Sequence, residues 1–156
     1  MKKYAKLITA ILLVSLLAIS LFACADPGND TQGTMTLVLL DGDVAQEYYV
    51  DLSKVPSGNS SSGLMAILDY LQSEGRLTYT AQDYGYGAYL TQVGELQEGE
   101  GKYIYIYTDV EADFDVTQYA VQITYKGKSY TNSGVNASQM TVKANCAIVI
   151  TYITFD

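Results

Sequence analysis

Residues 60–75 read SSSGLMAILDYLQSEG, and this stretch decides the fold. Leu64, Ile67, Leu68 and Leu71 follow the i, i+3, i+4, i+7 spacing that puts four apolar side chains on one stripe of a helix. Ser60, Ser61 and Ser62 offer hydroxyls to the free N–H groups of a first turn, and Gly75 is the residue type that closes a last one. The spacing predicts a helix with one face committed to a core. No other part of the chain after the first 23 residues has this period. The expected architecture is α+β: a mainly antiparallel sheet with one packed helix.

On the N-terminal side, Thr34 to Leu40 is β-branched and aliphatic, Asp41-Gly42-Asp43 is a turn, and Glu47 to Leu52 resumes strand character, so a hairpin is expected. Lys54 to Gly63 reads as a Pro/Gly/Ser loop into the helix. On the C-terminal side, strands are expected at Leu77 to Thr80, Tyr89 to Leu96 and Lys102 to Thr108. Further strands are expected at Tyr119 to Tyr125, Ser129 to Thr131, Met140 to Lys143 and Ala147 to Phe155. The last is the most apolar and suits a central position.

The chain opens with Lys2, Lys3 and Lys6 before an apolar run to Ala23, the pattern of an export signal. The run ends in Leu21-Phe22-Ala23-Cys24, which resembles the lipobox of bacterial lipoproteins. That resemblance implies a signal peptide at 1–23, cleavage before Cys24 and a diacylglycerol on its sulfur. The domain would then hang from the outer face of the cell membrane by its lipid alone. Residues 24–33 then read as a flexible tether and 34–156 as a single domain. From Cys24 onward there are six basic and seventeen acidic residues, a net charge of −11, which repels nucleic acid.

Histidine is absent, so catalytic triads built on it are excluded, as is the commonest zinc ligand. Cys146 is expected as a small buried hydrophobe. No phosphate-binding glycine loop occurs, no acidic residue sits in an apolar strand, and an enzyme is not expected.

Several motifs follow Thr34 in order: the helix Leu64 to Leu71, Tyr84-Gly85-x-Gly87-x-Tyr89-Leu90 with Val93-Gly94, the aromatic strand Lys102 to Tyr107, Ser133-Gly134-Val135, and Met140-x-Val142 before the strand Ile148 to Tyr152. Taken together they resemble the transcobalamin-like C-terminal domain family of bacterial surface lipoproteins. The resemblance implies a β-grasp-like domain and, as ligand, cobalamin or another corrinoid.

Two constellations are candidate sites. Tyr84, Tyr86, Tyr89, Tyr103, Tyr105 and Tyr107 belong to a chain with fifteen tyrosines, three phenylalanines and no tryptophan. Tyr103, Tyr105 and Tyr107 alternate with Ile104 and Ile106, which places the tyrosines on one face of a strand. Such a face offers stiff, half-polar contact area to a small-molecule ligand or a surface protein. It equally suits cross-strand packing. The second constellation is Asp109, Glu111, Asp113 and Asp115, whose carboxylates would share one face of an extended segment and bind a hard cation such as calcium. It equally suits a solvated acidic edge. A passive surface or adhesion domain is the reading that uses neither.

Overall fold

A computed structural model describes residues 28–57 and 62–154 of the chain. The signal segment and Cys24 lie outside the described residues, as do Ser60, Ser61 and Phe155.

Nine strands and one α-helix are described, in the order β1 (Thr34–Asp41), β2 (Val44–Asp51), α1 (Gly63–Ser73), β3 (Tyr79–Asp83), β4 (Ala88–Val93), β5 (Leu96–Gln97), β6 (Lys102–Thr108), β7 (Gln122–Tyr125), β8 (Lys128–Asn132) and β9 (Ala147–Thr154). Six strands form one sheet in the order β2-β1-β9-β6-β8-β7, and β3-β4-β5 form a second. Among the described strand pairs, only β1 with β9 is parallel. The fold is therefore α+β and largely antiparallel, with the apolar β9 at the centre of the larger sheet as its composition demands.

Period two splits the larger sheet into two cores. Leu37, Leu39, Ile104, Ile148 and Ile150 face α1 and the smaller sheet, meeting Leu64, Ile67, Leu68 and Leu71 together with Leu90, Val93 and Leu96. Each buried aliphatic chain of that helical stripe contributes about 1.5–3 kcal/mol. The intervening side chains Val38, Tyr107 and Val149 point the other way and form a second cluster with Tyr130. That outer face is covered by the chain itself. The β7–β8 hairpin pairs with β6 only at Tyr107 and Thr108, and its turn reaches the opposite edge strand β2. There Glu47 accepts from Lys126 Nζ at 2.9 Å and from the Tyr125 hydroxyl at 2.9 Å. The hairpin is thus an arm folded across the sheet, with Ile123, Tyr125 and Tyr130 on its underside.

Several boundaries depart from expectation for local reasons. The helix starts at Gly63, and Ser62 does not cap it: the Ser62 hydroxyl donates to Ser138 O at 2.7 Å, while Ala137 O receives the Leu64 N–H at 2.9 Å. Three carbonyls, of Ala137, Ser138 and Met140, crowd Gly63 so closely that a Cβ would stand 2.6–2.9 Å from them; its φ of +58° also excludes most residues. Gly75 does close the helix, with Gly75 N to Gln72 O at 3.0 Å and Arg76 N to Leu71 O at 2.9 Å, the paired bonds of a Schellman motif. Met140 to Lys143 is not a strand; its backbone is bonded to side chains, with Thr141 N donating to Asp113 and Val142 N to Asn29. The strand expected at Tyr119 begins at Gln122. Of the tether, residues 29 and 30 are fastened to the domain, Asp30 N donating to Val142 O at 2.8 Å and the Asp30 carboxylate accepting from Ala144 N.

Candidate functional site

The cleft that the structure offers lies where β8 parts from β6. Below Tyr107 the two strands are paired; beyond it, Ser133 N makes a last bond to Ile106 O at 2.8 Å and Gly134 N turns away to Asp113 O. The gap is walled on the other side by the turn joining β3 to β4. Asp83 builds that turn, its Oδ1 accepting from Gly85 N at 2.7 Å and from Gly87 N at 3.3 Å. Gly87 is required, with φ +107° and the Asn136 side chain 2.4 Å from where a Cβ would be. Asn136 in turn donates to Tyr86 O at 3.0 Å and so ties the two walls together.

The enclosed volume is about 400 Å³. Tyr84, Tyr86, Tyr89 and Tyr105 line it over a floor of Ile104 and Ile106, and the lining includes no charged side chain. The Tyr84 and Tyr89 rings are tilted 60° with centroids 6.1 Å apart, a favourable aromatic geometry. The Tyr89 hydroxyl donates to Glu98, which also accepts the Ile104 N–H at 3.2 Å. Burial, then that carboxylate, raises the Tyr89 pKa strongly, so its proton stays on. Tyr84 donates to Gln82 and remains 62% exposed, and Tyr86 is 90% exposed. The site presents rings rather than charge.

Of the six tyrosines named from sequence, four therefore meet in one cleft. Tyr103 is exposed and does not line it, and Tyr107, 2% exposed, is buried under the β7–β8 arm beyond any ligand's reach. Sequence reasoning missed Asn136 and the 133–137 wall, and it placed Ile104 and Ile106 on the face opposite the tyrosines without giving them a part in the site. The adjacent breakers Ser133-Gly134 were the one available signal, since the contact between Asn136 and Tyr86 spans 50 residues.

The acidic segment is arranged otherwise than expected. It is not extended: Glu111–Asp113 form a 3₁₀ turn, which points the carboxylates in different directions. Asp109 pairs with Lys128 and accepts from Ala147 N at 3.0 Å. Asp113, only 4% exposed, accepts from Thr141 N at 2.6 Å and Thr141 Oγ1 at 2.9 Å. Asp115 accepts from Thr117 N at 2.8 Å and Asn132 Nδ2 at 3.1 Å, and Thr117 and Asn132 hold its pKa below the usual value. These oxygens are spent on protein donors, and Glu111 remains exposed. Among the described residues, no three Asp, Glu or Cys side chains are grouped to hold a metal ion. Cys146 is buried as expected, and burial raises its thiol pKa, the opposite of an activated nucleophile.

Among the described residues no helix is long and apolar enough to cross a membrane. No protein-family model matches the chain, and no curated protein matches it. Among solved structures, a "putative metal binding protein" from Ruminococcus gnavus is similar at 16% identity, covering 80% of this chain and 100% of its own, with a TM-score of 0.49.

Proposed function

We propose that this chain is an exported, lipid-anchored binding module that holds an uncharged group of a ligand in the tyrosine cleft. The observation that carries the reading is the convergence of Tyr84, Tyr86, Tyr89 and Tyr105, from two separate stretches of chain, on one apolar floor with no charged lining residue. Rigid aromatic walls give contact area at small entropic cost. The cleft of about 400 Å³ sits at the low end of the range for small-molecule sites. It accommodates one ring-sized group, so a ligand as large as a corrinoid, which the transcobalamin-like resemblance favours, would insert only an edge.

Backbone amide NMR on the intact chain tests this with cobalamin, a neutral oligosaccharide and indole as probes. At least one should shift the amides of residues 84–90, 104–106 and 133–137 together, and the Tyr84→Ala/Tyr86→Ala pair should remove the response. Silence across the panel overturns the small-molecule form of the reading. The anchor is tested separately in a bacterial host, where labelled palmitate should enter the chain and Cys24→Ala should abolish the label.

A further inference from the structure

The floor of the cleft is a strand edge, and its backbone carries more recognition than its side chains. Even-numbered residues of β6 turn their N–H and C=O towards β8, as the Ser133 N to Ile106 O bond shows. On that edge the Ile104 N–H donates to Glu98 and the Ile106 carbonyl accepts from Ser133. The odd-numbered residues face β9, as the Asp109 N to Ala147 O bond in register with that ladder shows, and outside the strand ladders no hydrogen bond among the described residues engages the Ile104 carbonyl or the Ile106 N–H. Both residues line the cleft. The opening is one residue long, because Lys102 exchanges both backbone bonds with Gly99 and Ser133 already lies beside Ile106. A carbonyl at one position and an N–H two residues later are the pair that a single residue of a parallel neighbouring strand satisfies, giving its N–H to the first and taking the second on its C=O.

Much of the polar capacity of the side chains around this edge is already used. Asn136 already donates to Tyr86 O and Gln139 Oε1 and accepts from Ser138 N and Oγ. The Tyr84 and Tyr89 hydroxyls are committed to Gln82 and Glu98. Beyond the Tyr86 and Tyr105 hydroxyls a sugar ring would find few partners, whereas an extended backbone finds the two it needs and apolar walls for its side chains.

Charge selects the flanks of such a segment. Asp83 bonds the N–H of the lining residue Gly87, and Glu98 bonds Tyr89 and Ile104. Asp115 Cα lies 3.0 Å from the position of a Cβ on Gly134, between the lining residues Ser133 and Val135. Lys102, the nearest lysine along β6, holds its ammonium 5.1 Å over the Tyr152 ring instead. The net charge of −11 beyond Cys24 also draws in a positively charged partner.

The geometry points to a lysine- or arginine-flanked segment of a partner polypeptide as the occupant, one extended residue of it pairing parallel to β6 across the Ile104 carbonyl and Ile106 N–H, with neighbouring apolar side chains in the tyrosine cleft. This deepens the binding reading above and rests on it.

The test titrates the intact ¹⁵N-labelled chain with the capped peptide Lys-Val-Thr-Val-Lys, its Glu-Val-Thr-Val-Glu counterpart, and the lysine peptide N-methylated at its central residue. The lysine peptide should move the Ile106 amide proton downfield, as a new hydrogen bond does, and shift residues 84–90. The glutamate peptide should bind at least about fivefold more weakly at low salt, and the N-methyl peptide should not move Ile106. If a small probe perturbs the cleft but the lysine peptide leaves Ile106 unmoved, the strand-addition proposal falls and the binding reading stands. If nothing perturbs the cleft, both fall. Equal binding of the two charged peptides overturns the basic partner.

Discussion

The two halves of β6 carry the same alternating pattern and meet opposite fates. At Tyr107 and Thr108 the neighbouring strand β8 is in place and the arm lies overhead, so Tyr107 is buried with Val38, Tyr130 and Val149. At Ile104 to Ile106 the neighbour has left through Ser133-Gly134, and an aromatic cleft stands open. Tyr105 links the halves, packing against the outer cluster while also lining the cleft, with its ring 6.2 Å from that of Tyr107. A strand's own residues decide which way each side chain points. Whether a face is then core or site depends on what its neighbours do.

Substituting one tyrosine of the closed half and one from the wall of the open cleft should show the difference most visibly. Tyr107→Ala opens a void in a closed cluster and should cost about 3–5 kcal/mol in chemical denaturation. Tyr86→Ala, at a ring 90% exposed, should stay within about 0.5 kcal/mol. Equal losses would mean that the arm does not seal the outer cluster.

Next in size is Asp113→Ala. It strands the Thr141 N–H and hydroxyl, both buried, and should cost about 2–3 kcal/mol. The loss should be the same with and without calcium chloride. A loss that appears only in calcium would instead return a cation to the acidic segment.

These contrasts locate what the residues made legible. The helical stripe, the first hairpin and the central place of the last strand follow from local period and composition, and the structure carries them as expected. So does the split of β6 into tyrosine and isoleucine faces. What local patterns did not carry was long-range: the β7–β8 arm reaching Glu47 across 79 residues, and the departure of β8 that turns half a strand into a cleft. The acidic run misled because alternation in an imagined strand says nothing about a 3₁₀ turn. Ser62 does not cap the helix because its hydroxyl is drawn to Ser138 O and Ala137 O takes the Leu64 N–H.

Alkali should weaken the buried parts of the molecule. Burial raises the pKa of Tyr107, Tyr130 and Tyr48, and burial with the Asp69 hydrogen bond pushes Tyr79 up to about 12. A folded pKa above the unfolded value of about 10 stabilises the fold fully below that pH, and the contribution is lost as pH rises through the folded value. Stability should therefore decline from pH 10 towards 12, followed by denaturant midpoint and by tyrosinate absorbance. In Tyr107→Phe the decline should be shallower. An unchanged slope would place Tyr107 in contact with water.

The smallest effect concerns the clasp that shuts the arm. Glu47 is held below its usual pKa by the Lys126 hydrogen bond first, then by Tyr49 and Tyr125. A depressed folded pKa means the contribution is present above the unfolded value and disappears as pH falls through the folded one. Because Lys126 is exposed, salt screens the pair, so Glu47→Gln should barely move the unfolding midpoint. Its effect should appear instead in amide protection, the exchange rate relative to the intrinsic rate at the same pH: β7 and β8 should be less protected in the variant, and in the native chain less protected below pH 4 or in high salt, with β9 unchanged. Unchanged protection in the arm would show that Ile123 and Tyr130, packed on the outer cluster, hold it down without the clasp. The closed half of β6 would then owe its closure to apolar burial alone, as its open half owes its openness to the loss of a strand.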